Sequence, residues 1–222
     1  MTTKKFNDLK KLSNEELKTY RKEIKPLNPN WHEYTNLVVD YGTQKVACTD
    51  RLIEPYVTSR SHGLEVFVGL VKLVKDLKPR SLVDLGCGAG DFLYSAHKYG
   101  AKVYGLTIHV GEVLYARDQY KLENVIPADL RDIDEYFTPN SLDMVVVHKA
   151  FDFITNEERI ETMKRIYRVL KPGKWFVHVD DSFRFKESVL PEWDFSPFYK
   201  EVKLDKKYPC QGVLQVFTKN VQ

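Results

Sequence analysis

Long apolar runs are missing from this 222-residue chain, and none approaches the roughly 20 residues needed to cross a bilayer. The opening residues, MTTKKFNDLKK, lack the apolar core of a secretory leader. Cysteine is scarce: Cys48, Cys87 and Cys210 lie far apart, with no C-x-x-C pair and no metal-ligand spacing. No metal site is expected, and a reduced, cytoplasmic setting is the simple reading. Charge of one sign is also lacking. The 34 basic and 31 acidic residues leave a formal charge of +3, which gives no argument for a nucleic-acid partner and does not exclude one. Internal repeats and low-complexity tracts are absent. What remains is 43% hydrophobic and 13% aromatic, long enough for one globular domain with a real core.

The densest feature is Ser81–Phe92, SLVDLGCGAGDF. An apolar run containing Asp84 leads into Gly86-Cys87-Gly88-Ala89-Gly90, and Asp91 opens a further apolar stretch. The pattern predicts a buried strand, a glycine-rich turn and a helix. Glycine has no Cβ, so such a turn lets backbone N–H groups and a helix N-terminus approach a ligand.

The rest of the chain is placed by its distance from this turn. Ser13-Asn14-Glu15-Glu16 has the form of a capping box and predicts a helix to about Ile24, ended by Leu27-Asn28-Pro29-Asn30. Residues Trp31–Arg60 are irregular and rich in aromatics with interspersed arginines, a composition that packs a core or lines a pocket. Leu64, Phe67, Val68, Val71, Val74 and Leu77 recur at helical spacing.

Beyond the turn, strand and helix alternate. Strands are predicted at Lys102–Ile108, Asn124–Ala128, Leu142–Val147 and Trp175–Val179. Helices are predicted at Gly111–Lys121 and after the T-x-x-E cap at Thr155, with Ile160, Met163, Tyr167 and Leu170 on one stripe. Phe198–Leu204 and Gly212–Thr218 leave no room for a helix between them and read as an antiparallel hairpin. The sum is an α/β fold, a doubly wound, mostly parallel seven-stranded sheet with a C-terminal hairpin and a helical N-terminal extension. One domain is expected, with residues 1–63 as a cap region and 64–222 as the core. Ligands bind outside the carboxyl ends of such strands, so the loops after Leu85, Leu106, Ala128 and Val147 should share one cleft.

Five motifs recur in order from Ser81 to Val179: VDLGCGAG at Val83–Gly90, VYGL at Val103–Leu106, Ala128-Asp129-Leu130, LDMVVVH at Leu142–His148 and RVLKPG at Arg168–Gly173. In these the chain resembles the class I S-adenosylmethionine (SAM)-dependent methyltransferases. The resemblance implies a Rossmann-like methyltransferase fold, SAM as cofactor and S-adenosylhomocysteine as its product. Asp84 with Gly86, Cys87, Gly88 and Gly90 would cradle the methionine part of SAM, whose ammonium and carboxylate suit an acid and backbone N–H groups. Asp129 and Leu130 would meet the adenine, although Asp129 also reads as a helix N-cap. Thr107 stands where the family has an acid for the ribose hydroxyls, with Ile108 beside it. A single hydroxyl loses the bidentate diol contact, and His109 or Glu112 could supply it instead. Gly105-Leu106-Thr107-Ile108 is also similar to a segment of the cyclopropane fatty acid synthase-related branch, without that branch's lipid-binding insert. The G-x-G-x-G spacing and Thr107 both speak against a nicotinamide fingerprint.

Methyl transfer from SAM needs alignment and exclusion of water more than a fixed catalytic signature. His148, just past an apolar strand, is the candidate base and equally reads as packing against the cofactor. Lys149, Asp152, Asp180 and Asp181 fall on neighbouring loops, and His178 reads as core or surface. Neither N-P-P-Y nor D-P-P-Y follows Leu142–Val147, and Pro209-Cys210-Gln211 lies too far along to be a cytosine-methylating motif. The expected partner is a small-molecule acceptor, met by Tyr34, Tyr41, Tyr56 and His62, with no membrane association. An RNA or protein methyltransferase and a non-catalytic SAM-fold subunit are the alternatives.

Overall fold

The computed structural model describes residues 1–20, 67–180, 194, 196–204, 208 and 213–221. Two short helices open the chain, α1 (Lys4–Lys11) and α2 (Asn14–Thr19). A helix over 67–77, α3, precedes β1 (Ser81–Leu85). Then follow α4 (Asp91–His97), β2 (Lys102–Thr107), α5 (Val110–Tyr120), β3 (Val125–Pro127), α6 (Ile133–Tyr136) and β4 (Leu142–His148). The chain continues with α7 (Asn156–Val169), β5 (Leu170–Asp180), β6 (Tyr199–Glu201) and β7 (Val213–Lys219).

The strands form one seven-stranded sheet in the order β3-β2-β1-β4-β5-β7-β6. Strands β1 to β5 pair in parallel, β7 runs antiparallel to β5, and β6 antiparallel to β7. The expected sheet and terminal hairpin are both present. β7 is inserted between β5 and β6, which puts the first hairpin strand at the edge. The chain winds outward from β1 on one side and from β4 on the other, so the switch point lies between β1 and β4.

Alternation along each strand feeds two cores. Val83, Leu85, Val145, Val147 and Phe176 pack in one cluster with Ile133 of α6 and Met163 and Ile166 of α7. Leu82, Met144, Val146 and Val177 pack in the other with residues of α3, α4 and α5. Asp143 ties the amino ends together: it accepts from the Arg80 N–H and from Lys171 Nζ, both at 2.8 Å.

The structure corrects four local readings. The helix begun at Ser13 has its capping box, but it stops at Thr19, with Tyr20 turning to an extended conformation (ψ 123). The stripe on α3 holds for Val74, which is buried, and for Phe67, Val71 and Leu77, which pack against the second core, but Val68 is 49% exposed and Leu70 and Leu73 are buried in addition. Strand β5 begins at Leu170, not Trp175, because the Lys171-Pro172-Gly173-Lys174 turn bulges between its pairings with Leu142 and Met144. The 198–204 strand is confined to Tyr199–Glu201.

The helix α1 has no counterpart in the sequence pattern, since only Phe6 and Leu9 of its eight residues are large and apolar. Tertiary contacts make it. The Thr3 N–H donates to Tyr136 O at 2.9 Å, and Phe6 enters the first core between Tyr104 (5.5 Å between ring centroids) and Phe137 (5.4 Å). Leu17 of α2 enters the second core. Arg117 of α5 donates to the Leu12 carbonyl between them at 2.8 Å. The first twenty residues thus clasp both faces of the sheet. Among the described residues, no helix is long and apolar enough to cross a membrane.

Candidate active site

At the carboxyl ends of β1 to β4 a cavity of about 370 Å³ opens. Its lining brings together Asp84, Gly86, Cys87, Gly88, Thr107, Ile108, Asp129, Leu130 and His148, which are nine of the ten residues expected to meet the cofactor. The tenth, Gly90, is absent from the lining. It caps α4 in a left-handed conformation (φ 86), where a Cβ would come within 2.9 Å of Leu122 Cδ1. It shapes the turn from behind.

The glycine turn is fixed from below. The Gly86 and Cys87 N–H groups both donate to the Leu106 carbonyl, at 2.8 and 3.0 Å. Those two amides anchor the turn to β2 and face away from a ligand. Gly86 has φ 79, and a Cβ on it would lie 2.5 Å from the Ala150 Cβ, so only glycine lets the turn close against the loop after β4.

Asp84 ends up 4% exposed at the head of β1, with Oδ1 lacking a hydrogen-bond partner. Burial raises its carboxyl to about 7. A buried, unsatisfied acid facing a cavity is costly to keep. It fits a cationic group of a ligand, as the ammonium of SAM requires, and this observation tests the expected cofactor favourably.

Thr107, at the end of β2, donates its hydroxyl to Glu112 and accepts the His109 N–H at 3.3 Å. Glu112 sits in the first turn of α5 and lines the cavity. The carboxylate missing from position 107 is therefore restored in space by a residue five positions on.

Asp129 is the N-cap of the short 3-10 turn Leu130–Asp132, and its side chain accepts the Arg131 N–H at 2.9 Å. The Arg131 guanidinium also holds it, with Nη2 at 2.6 Å from Oδ2. Arg131 lines the cavity as well, and its role was invisible in sequence except as a base two residues beyond the acid.

His148 ends β4, and Phe67 of α3 packs edge-on against its ring at 5.2 Å. Lys149 follows with φ 54, a left-handed backbone pinned by its N–H to Val179 O at 3.0 Å. This sharp turn leaves His148 and Lys149 on the lining, together with Phe67, Ala150, Phe153 and Ile154. Asp152 is exposed, 3.9 Å from Arg159, and off the lining. His178 is 1% exposed, and burial pushes its imidazole down to about 3, so it stays neutral in the core. Tyr34, Tyr41, Tyr56, His62 and Asp181 lie outside the described residues, as does the side chain of Asp180. No cluster of metal-binding side chains occurs among the described residues.

The methyltransferase domain family matches residues 83–178. The chain is 28% identical over 104 residues to the sterol 4-C-methyltransferase of Caenorhabditis elegans, covering 44% of this chain and 30% of that protein. It is 25% identical over 135 residues to norajmaline N-methyltransferase from Rauvolfia serpentina, covering 59% and 42% respectively. The matched stretch spans less than half the length of either relative. The solved structure of a TehB-like SAM-dependent methyltransferase from Corynebacterium glutamicum superposes with a TM-score of 0.60 at 18% identity, over 78% of this chain and 99% of that one, a likeness of fold. Residues 83–178 accordingly match the methyltransferase domain family, on a fold shared with SAM-dependent methyltransferases.

Proposed function

We propose that this protein transfers a methyl group from SAM to a small organic acceptor. The observation that carries the reading is the buried Asp84 carboxylate, its Oδ1 without a hydrogen-bond partner, in a cleft gathered from four ordered strand ends. Asp84 receives the cofactor's ammonium, and the Gly86–Gly88 turn receives its methionine backbone. Glu112, steadied by Thr107, accepts the ribose hydroxyls. Asp129 and Leu130 border the adenine. When bound, SAM supplies an activated methyl on a sulfonium. The chain's own contribution is to orient the acceptor and exclude water, for which Phe67, Phe153 and Ile154 offer apolar walls. His148 stands at that end of the cleft and is the candidate to take a proton from an acceptor nitrogen, oxygen or carbon.

The small-molecule reading draws support from relatives whose names specify a sterol carbon and norajmaline nitrogen as acceptors. The formal charge of +3 gives no argument for an RNA partner. The test is calorimetric titration with SAM and S-adenosylhomocysteine, followed by labelled-methyl transfer into cell extract separated into small-molecule, RNA and protein fractions. Label in the small-molecule fraction, lost in Asp84→Ala, is the expected result. Label confined to RNA or protein would overturn the acceptor class, and no binding of either ligand would overturn the activity.

A further inference from the structure

We propose that Phe67 is a positioning residue for proton transfer in the cleft: its ring holds the His148 imidazole and favours the cation that the imidazole becomes once it has taken a proton from the acceptor. The inference rests on His148 as the base in the reading above, and Phe67 itself exchanges no proton.

Phe67 stands at the start of α3 and lines the cavity together with His148. Its ring meets two others. Phe92 of α4, 1% exposed, stacks with it at 6.1 Å between centroids and 29° between planes. His148, at the end of β4, meets it at 5.2 Å and 66°. The first contact roots Phe67 against the second core. The second sets that rooted ring against the candidate base.

Two rings at so steep an angle meet rim to face. A phenyl face is negative and an aromatic rim positive, so the pair gains when the imidazole turns its N–H and C–H rim to the phenyl face. Protonation makes that rim part of a cation, and the contact becomes a cation–π interaction, within the reach of about 6 Å that such pairs have. An aliphatic wall would act the other way. It would strip water from the cation and disfavour it. An aromatic wall at this point keeps the site dry, as methyl transfer requires, without penalising the protonated base.

Other charged and titratable groups surround His148 among the described residues. Lys149 follows it on the same turn, and His178 faces it from β5 in the neutral form. Asp84 of β1, His109 and Glu112 at the start of α5, and Asp129 with Arg131 after β3 line the same cavity. A change at position 67 leaves all of them in place, so a difference between variants reports the ring.

The experiment is NMR of the ligand-free full chain with labelled histidine, titrated from about pH 5 to 9 on wild type, Phe67→Leu and Phe67→Tyr. His148→Gln identifies the signal among the six histidines. In wild type the His148 ring protons should lie upfield, shielded by the phenyl face. In Phe67→Leu that displacement should vanish, and the titration midpoint should fall by about half a pH unit, the size of a cation–π contact at a part-exposed site. Phe67→Tyr keeps a ring and should keep both properties. Phe67→Met replaces the leucine variant if that one does not fold. A ring that merely covers His148 predicts the opposite sign, because a smaller side chain lets water back to the cation. An unchanged or raised midpoint therefore overturns the inference, and so does a His148 that does not titrate in this range. Methyl transfer by wild type without these NMR differences overturns this inference alone. The NMR differences with no methyl transfer into any fraction overturn the proposed function, and with it the catalytic use of the pair.

Discussion

Replacing Asp84 by Asn should stabilise the ligand-free protein and abolish its use for the cofactor. In the folded state burial holds this carboxyl at about 7, against an ordinary 3.8. At about 1.36 kcal/mol per pH unit, that difference amounts to roughly 4 kcal/mol. The sign follows from proton counting. Between about pH 4 and 7 the folded chain binds a proton at Asp84 that the unfolded chain does not, so this group makes stability fall as pH rises through that window. Above about 7 the full cost is present. Asn has nearly the same shape and no charge to bury. At pH 8, Asp84→Asn should therefore exceed wild type by up to roughly 4 kcal/mol, a rise in Tm on the order of 10 °C for a chain of this size. At pH 4 the two should coincide. Thermal or urea unfolding of the ligand-free protein across that range is the assay. The same logic governs binding: affinity of wild type for S-adenosylhomocysteine should drop about tenfold per pH unit below 7, because the ligand's ammonium needs the ionised acid. A wild type and Asp84→Asn variant of equal stability at pH 8, or a difference that does not change with pH, would refute the reasoning.

Glu112→Ala should weaken cofactor binding by roughly tenfold to a hundredfold in calorimetry, since it removes the carboxylate beside Thr107; an unchanged affinity would show that the ribose is held elsewhere. Phe6→Ala should cost about 3–5 kcal/mol in urea unfolding, because Phe6 fills the first core between Tyr104 and Phe137. A cost below about 1 kcal/mol would mean the N-terminal clasp is not part of the cooperative fold. Lys149→Gly should be neutral or gain about 1 kcal/mol by relieving the left-handed backbone, while Lys149→Val should destabilise. Burial opposes the charge of Asp143, but Lys171 and the Arg80 N–H hold its carboxyl below the ordinary range. The stability it gives is present above the ordinary carboxyl pKa and disappears as pH falls through the lowered value. Asp143→Asn should flatten the acid side of the stability profile.

Sequence alone determined the sheet and the cofactor class. Buried parallel strands write continuous apolar runs, capping boxes mark Ser13 and Thr155, and the five motifs are local in the chain, so each is legible without its neighbours. The glycine turn at Gly86–Gly90 belongs to the same class, because its positive φ angles demand glycine whatever packs around it. Tertiary structure decided everything that depends on a partner distant in the chain or on exclusion of water. The charge state of Asp84 is set by burial, which no motif reports. The Leu106 carbonyl claims two turn amides that looked available for a ligand. The polar helix α1 exists because Phe6 finds a pocket more than a hundred residues away. His109 and Glu112 were equal stand-ins for the acid missing at Thr107 until α5 brought Glu112 against it, and Asp129 read as a choice between ligand and cap until Arg131 showed it serving as a cap. These are differences in solvation and in side-chain direction, and both arise only when the strand ends meet.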